Sequence, residues 1–405
     1  MVTVHEDLLA PDVIEDPYGY FGTLREEDPV HWNSLYETWV ITRYDDVVWS
    51  LRRPEFFSSE VFLRDPKPPY PPILDEDEGL YEFNKRYLSH WFIRRDRPDH
   101  TRMRSIPHLQ FSPKYIEQRF RRMVQDIIAS LIQEVEGKGR MDVIQDFAAP
   151  LPILVIAEWL GFPKEDREFL RQSSRGVLSV DEAAADRNER TAKALLTFKE
   201  YINPFIDERA AHPRDDLLSL MAAGEREGTM TRDEVVGNLI LLLIAGHQTT
   251  INLIGNGTLA LMRHRDQWEQ LKRDPSLTVK ATEEILRYDG PVKRAPRIAA
   301  EDFELGGKTI GKSQRVLIVL SSANRDPRQF TDPDTLDITR HPNPHVAFGG
   351  GIHHCLGANL ARLEGQEAIK ALVQRFPPFR LATQTLAYQP LLNLRALTCL
   401  PVAWD

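Results

Sequence analysis

A capping box at Thr231 and Glu234 opens an apolar stretch that keeps helical periodicity to about residue 261. At roughly 1.5 Å per residue, a helix over residues 231–261 is about 45 Å long. It is apolar on most sides, so it must cross the interior while the rest of the chain wraps around it. Its most apolar run, residues 239–245, falls short of the ~20 residues that span a bilayer, so a core helix is expected and no membrane anchor.

Other segments read mostly as helix. Residues 278–289 form one, stopped by Gly290 and Pro291. Beyond residue 356, Leu360, Leu363, Ala368, Leu372 and Phe376 trace one face of a final long helix. Residues 297–320 alternate and carry turn-forming Gly306, Gly307 and Gly311, which predicts short strands. The expected class is mainly α with a minor β part. No repeat or Gly/Ser linker divides the chain, and 42% apolar content suffices for one large core, so residues 1–405 are expected to form a single domain. Residues 60–97 stand apart. The prolines of DPKPPYPP break any helix, and Tyr81, Phe83, Tyr87, Trp91 and Phe92 follow, so a long, partly apolar loop packed over a ligand is expected.

Composition narrows the function. Lys plus Arg total 51 against 60 Asp plus Glu, a net charge of -9, which gives no basic excess for a nucleic-acid partner. Two cysteines, Cys355 and Cys399, exclude a disulfide framework and fit a reducing compartment. Cys399 reads as a buried, inert thiol. Residues 1–16 are acidic and lack the pattern of a secretory signal, so a cytoplasmic location is expected.

The chemistry concentrates in FGGGIHHCLG, residues 348–357. Three successive glycines let the backbone approach a flat partner or take positive φ. Cys355 follows just before a helix, where backbone N–H groups and the helix dipole favour a metal-binding thiolate. Zinc competes, since His345, His353, His354 and Cys355 lie close together, but no second ligand pair occurs elsewhere in the chain. A phosphate-cradling loop lacks its strand, helix and downstream acid.

Phe348, Gly351, His353, Cys355 and Gly357 resemble the haem-binding loop of the cytochrome P450 family, bacterial and soluble in type, and three other segments agree in order and spacing. The resemblance implies haem b, with Cys355 as the proximal iron ligand. Glu284 and Arg287 match its buried structural E-x-x-R pair. His100 and Arg104 match an H-x-x-x-R that reaches the haem propionates, Arg297 matches the arginine on the other propionate, and His353 assists. Ala245, Gly246, Gln248 and Thr249, within AGHQTT, match the oxygen-binding segment, with Thr249 helping to deliver protons to dioxygen. Each has a plainer reading: a surface charge, a packing glycine, or a threonine bonded back to a carbonyl.

Two departures stand out. The family's acid before the threonine is Gln248 here, and the arginine expected in the segment before the haem loop is replaced by Thr335, with Arg340 a substitute. The resemblance implies a monooxygenase that inserts one atom of O2 into a hydrophobic small molecule. No flavin or nicotinamide fingerprint is present, so electrons are expected from a ferredoxin or flavodoxin and its reductase; Arg94, Arg95, Arg97, Arg102, Arg121, Arg122 and Arg362 read either as its basic docking face or as a merely solvated basic face. The alternatives are a peroxide-driven, coupling or desaturating enzyme on the same iron, or a haem-binding sensor without turnover. Expected pocket residues are those near 81–92, Leu242, Ala245, Thr249, Val292, Lys293 and residues 391–394, with Lys293 and Arg294 turned to solvent or a propionate.

Overall fold

The capping box forms as expected. The Thr231 hydroxyl accepts from Glu234 N at 3.3 Å, and the Glu234 carboxylate accepts from Thr231 N at 2.8 Å. Such reciprocal caps stabilise a helix start by about 1 kcal/mol. The core helix runs from Arg232 to Arg263, and the computed structural model describes residues 5–64, 73–177 and 184–405. Gly246 and Gly255 let neighbours come close, because a Cβ on them would stand 3.3 Å and 2.3 Å from Ile156 and Ile144 side-chain carbons.

Against the core helix pack the helices Pro150–Leu160, Thr278–Asp289 and Ala358–Arg375, and Pro113–Val135 packs outside them on the first and last of these. One principal core cluster joins apolar residues from Tyr87 to Val402. Two described stretches, Val143–Leu160 and Arg232–Arg263, are long and apolar enough to cross a bilayer, which corrects the expectation drawn from residues 239–245. Within their most apolar windows, 72% and 78% of the residues are buried by the rest of the protein.

The β part is small. Its strands are β1 (Val30–Asn33), β2 (Thr38–Ile41), β3 (Phe57–Ser58), β4 (Arg140–Asp142), β5 (Arg294–Ala299), β6 (Phe303–Leu305), β7 (Lys308–Ile310), β8 (Arg315–Val319), β9 (Arg380–Leu381) and β10 (Pro401–Ala403). The largest sheet has the order β1-β2-β8-β5-β3, with β2 parallel to β8 and the other pairs antiparallel. In β5, Arg297 pairs with Val316 and Arg294 with Val319, and both residues border the cavity described below.

One expectation changes. The region 60–97 is not one loop: 65–72 lie outside the described residues, but Glu78–Leu88 is a helix. Once past the prolines, the chain can bury Asn84 and Tyr87 on one helical face, and the Asn84 amide donates to Asn188 O at 2.9 Å. The helix Thr278–Asp289 ends where expected, with Gly290 extended at φ −63° and ψ 151°. Glycine is needed there for space, because a Cβ would lie 2.4 Å from Leu286 O.

Candidate active site

The glycines of the 348–357 loop divide their tasks. Gly349 and Gly351 take left-handed φ of +67° and +61°, and a Cβ on Gly351 would strike Leu51 O at 2.2 Å. Gly350 is extended. The turn closes where Cys355 N donates to Phe348 O at 2.9 Å, and Gly357 is the N-cap of the C-terminal helix Ala358–Arg375. Cys355 is exposed only in the sense that it faces an internal cavity. Burial pushes its thiol up, and the Gly357 N–H with the charges of Arg104 and Arg362 only partly offsets this. The N–H at the helix start thus favours the thiolate, as its position suggests, while burial opposes it.

The cavity measures about 340 Å³. Cys355 and Phe348 line it together with Ala245, Gly246 and Thr249 from the core helix, and Leu242, Phe92 and Val292 supply apolar wall. Arg94, Arg104, Arg297 and His353 also line it, and the His100 ring lies 4.4 Å from the His353 ring. No carboxylate is among the described lining residues. All four ring nitrogens of His100 and His353 are buried without a hydrogen-bond partner. Burial and neighbouring arginines push His100 down to about 4 and His353 to about 2. Burial, with Arg94 nearby, lowers Arg297 to about 10. Crowded cationic and donor groups at the edge of an apolar cavity require an anion to neutralise them. A flat apolar macrocycle with carboxylate arms and a thiolate-seeking metal satisfies the whole set, so the residues present fit haem.

The loop is held from behind. Arg287 donates to both Glu284 oxygens at 2.8 Å, and both residues are fully buried. Arg287 also donates to the carbonyls of Asn324, Pro333 and Thr335, and Arg340 donates to both Glu284 oxygens at 3.1 Å. Arg340 thus takes the place that Thr335 leaves open. On the outer side, Arg362 and His345 both bond Glu283, and the Arg362 guanidinium lies 4.4 Å over the Phe348 ring. Both ring nitrogens of His345 are thus engaged, by Glu283 and by Ala347 N. Among the described residues, no three His, Cys, Asp or Glu side chains cluster as a metal site, which removes the zinc alternative.

On the core helix, the Thr249 hydroxyl donates back to Ala245 O at 2.7 Å while facing the cavity. Gly246 both lines the cavity and lets Ile156 approach, and the helix is α throughout. Gln248 is off the lining, and its amide donates to Asn252 Oδ1 at 3.0 Å. A step of about 100° per residue separates it from the face that carries Ala245 and Thr249.

Several expected positions move. Of residues 81–92 only Phe92 lines the cavity, and residues 391–394 and Lys293 do not. Lys293 and Arg294 are each 1% exposed and do not reach solvent; Arg294 lines the cavity, as the propionate alternative requires, and lies 5.3 Å over the Phe21 ring. Among the proposed docking arginines, Arg94 belongs to the cavity, and Arg102, Arg121, Arg122 and Arg362 are ion-paired to Glu234, Glu367, Asp126 and Glu283. Arg94 as a cavity cation was missed, although it directly follows the apolar pair Phe92 and Ile93. Arg104 does more than expected, because it donates to His354 O at 2.6 Å and so ties its helix to the loop. Cys399 is only half-buried.

A family model described as "Cytochrome P450" matches residues 182–385. The polyketide biosynthesis cytochrome P450 PksS of Bacillus subtilis is 39% identical over 402 residues, covering 96% of each chain. The crystal structure of CalO2 superposes with a TM-score of 0.89 at 32% identity, over 100% of this chain and 99% of the other. P450BioI, solved in complex with an acyl carrier protein ligated to hexadec-9Z-enoic acid, reaches 0.87 at 35% identity, over 98% and 99%.

Proposed function

This chain belongs to the cytochrome P450 family, and from that premise we propose that it holds haem b with Cys355 on the iron, in a cavity that admits a hydrophobic small molecule. It is a monooxygenase of that family. The observation that carries the assignment of the site is the pairing of Cys355 with an acid-free ring of cationic and donor groups on one apolar cavity. When bound, the haem supplies an iron centre on which dioxygen is reductively split.

The residues have separate tasks. Arg94, Arg104 and Arg297, with His100 and His353, would neutralise the propionates through charge-assisted hydrogen bonds. The Glu284 hub fixes the backbone before the loop, so that Cys355 is presented by a rigid turn. Leu242, Phe92 and Val292 exclude water and receive the substrate's apolar surface. Thr249 holds its proton on Ala245 O until a better acceptor stands in the cavity, and the hydroxyl can then rotate toward it. Electrons would come from a separate ferredoxin or flavodoxin with its reductase, and a cytoplasmic location fits that supply.

Cys355→Ser tests the site. The reduced CO complex of the parent should show the Soret band diagnostic of a thiolate ligand, and the variant should lose it. Retention of that band would remove Cys355 from the iron. Substrate-dependent electron consumption with a surrogate ferredoxin separates a monooxygenase from a haem sensor, which would consume none.

A further inference from the structure

One wall of the cavity is the segment 291–296, through Pro291, Val292, Ala295 and Pro296. Its first residues are irregular backbone, so their position depends on what grips them. Pro291 has no N–H and is held only through its carbonyl, which accepts from Arg395 N at 2.8 Å. Lys293 N donates to Asn393 O at 2.8 Å, and Val292 bridges Leu394. The wall is thus zipped to residues 393–395, which themselves stand behind it and away from the cavity.

Two buried side chains grip this zipper. Asn256, on the core helix, donates its one amide group to Asp289 O and to Arg395 O, each at 3.1 Å. The Arg395 guanidinium donates to Asp289 Oδ1 at 3.3 Å, to Ile14 O at 2.5 Å and to Glu15 O at 2.9 Å. The Tyr18 hydroxyl donates to the same Asp289 oxygen at 2.5 Å. None of Asn256, Arg395, Asp289 and Tyr18 lines the cavity. Asn256 follows Thr249 by seven residues on one rigid helix, about 10 Å along its axis, so the roof and this wall share one support.

We propose that Asn256 and Arg395 are positioning residues that set the width of the cavity and so select substrates by bulk, with Ile14, Glu15 and Tyr18 as the outer anchor. The inference rests on the haem reading of the cavity. Loss of either grip strands buried carbonyls, which must move to find new donors, and the wall moves with them. The iron end of the cavity, built from the 348–357 loop, is untouched.

The test compares two azoles that ligate the ferric iron of the haem-loaded enzyme, imidazole as the small probe and clotrimazole as the bulky one, by their Soret shifts. For Asn256→Leu the imidazole Kd should stay within about two-fold of the parent while the clotrimazole Kd changes by about five-fold or more. Arg395→Lys, which keeps a cation beside Asp289, should fall between the parent and Arg395→Leu. Tyr18→Phe removes one hydroxyl from the outer anchor and gives the same comparison if Asn256→Leu does not fold. Equal factors for both azoles, with or without a lower melting temperature, would mean a purely structural role and overturn the proposal. If the parent itself shows no azole-induced shift, the haem reading fails and this inference with it.

Discussion

Arg340 donates from Nε to both carboxylate oxygens of Glu284 at 3.1 Å, across 56 residues of chain, and completes a buried hub whose other cation, Arg287, is only three residues from the acid. Glu284 also accepts from Asp337 N at 2.9 Å and Asn343 Nδ2 at 3.2 Å. One carboxylate therefore organises residues 335–343 on the approach to the cysteine loop. Arg340→Ala leaves Glu284 still satisfied by its other donors and should cost about 1–2 kcal/mol. Glu284→Gln leaves Arg287 as an uncompensated buried charge and should cost on the order of 3–5 kcal/mol. Urea denaturation of the haem-loaded protein measures both, and equal losses would sink this ranking.

Haem retention should distinguish Arg104 from Arg297. Each is proposed to face a propionate, but only Arg104 also donates to His354 O in the loop. Arg104→Ala should lose haem faster than Arg297→Ala when apomyoglobin is used as the acceptor, and both should lose it faster than the parent. Unchanged transfer rates for both variants would refute the propionate role.

The Gln248 amide cannot exchange a proton near neutral pH as a carboxylate can, so electrons should couple poorly to product and some should leave as hydrogen peroxide. Gln248→Glu should raise coupling and make turnover more dependent on pH. The geometry permits the change, because Asn252 has a buried Nδ2 without a partner and can rotate its amide to donate to the new carboxylate. Burying that carboxylate costs free energy, so a lower melting temperature is also expected. A variant that folds and binds the same substrate with unchanged peroxide release would show that Thr249 and water already carry the protons.

Glu283 predicts the acid limb of stability. Burial works to raise its pKa, but the hydrogen bonds from His345 and Arg362 win and hold it at about 2, against an ordinary value of 4.5. Because the folded value is depressed, the stabilisation is fully present above pH 4.5 and is lost as the pH falls from there toward 2. Its size is on the order of 2 kcal/mol after allowance for partial exposure. Glu283→Gln should therefore lower the urea midpoint at pH 7 and flatten its decline between pH 5 and 3. Parallel parent and variant curves over that range would rule out Glu283 as a source of the acid sensitivity.

What the sequence by itself determined was whatever depends on neighbours a few residues apart or on a spacing that one element imposes. The capping box at Thr231, the i, i+3 pair of Glu284 and Arg287, the turn glycines before Cys355 and the short strands within residues 297–320 all belong to this class, and all stand in the structure. Tertiary structure alone decided which distant partner each polar side chain meets. Arg340 reaches Glu284, Arg94 turns into the cavity, Arg362 turns to Glu283, and Gln248 bonds along its own helix instead of facing the cavity. The helix at Glu78–Leu88 was hidden for the same reason, since its buried face exists only once residue 188 and its neighbours are packed against it. Local geometry is written into the chain by sterics and hydrogen-bond reach, whereas a long charged or amide side chain has several staggered directions open to it. Only the folded surroundings, through the cost of leaving a buried polar group unpaired, select one of them.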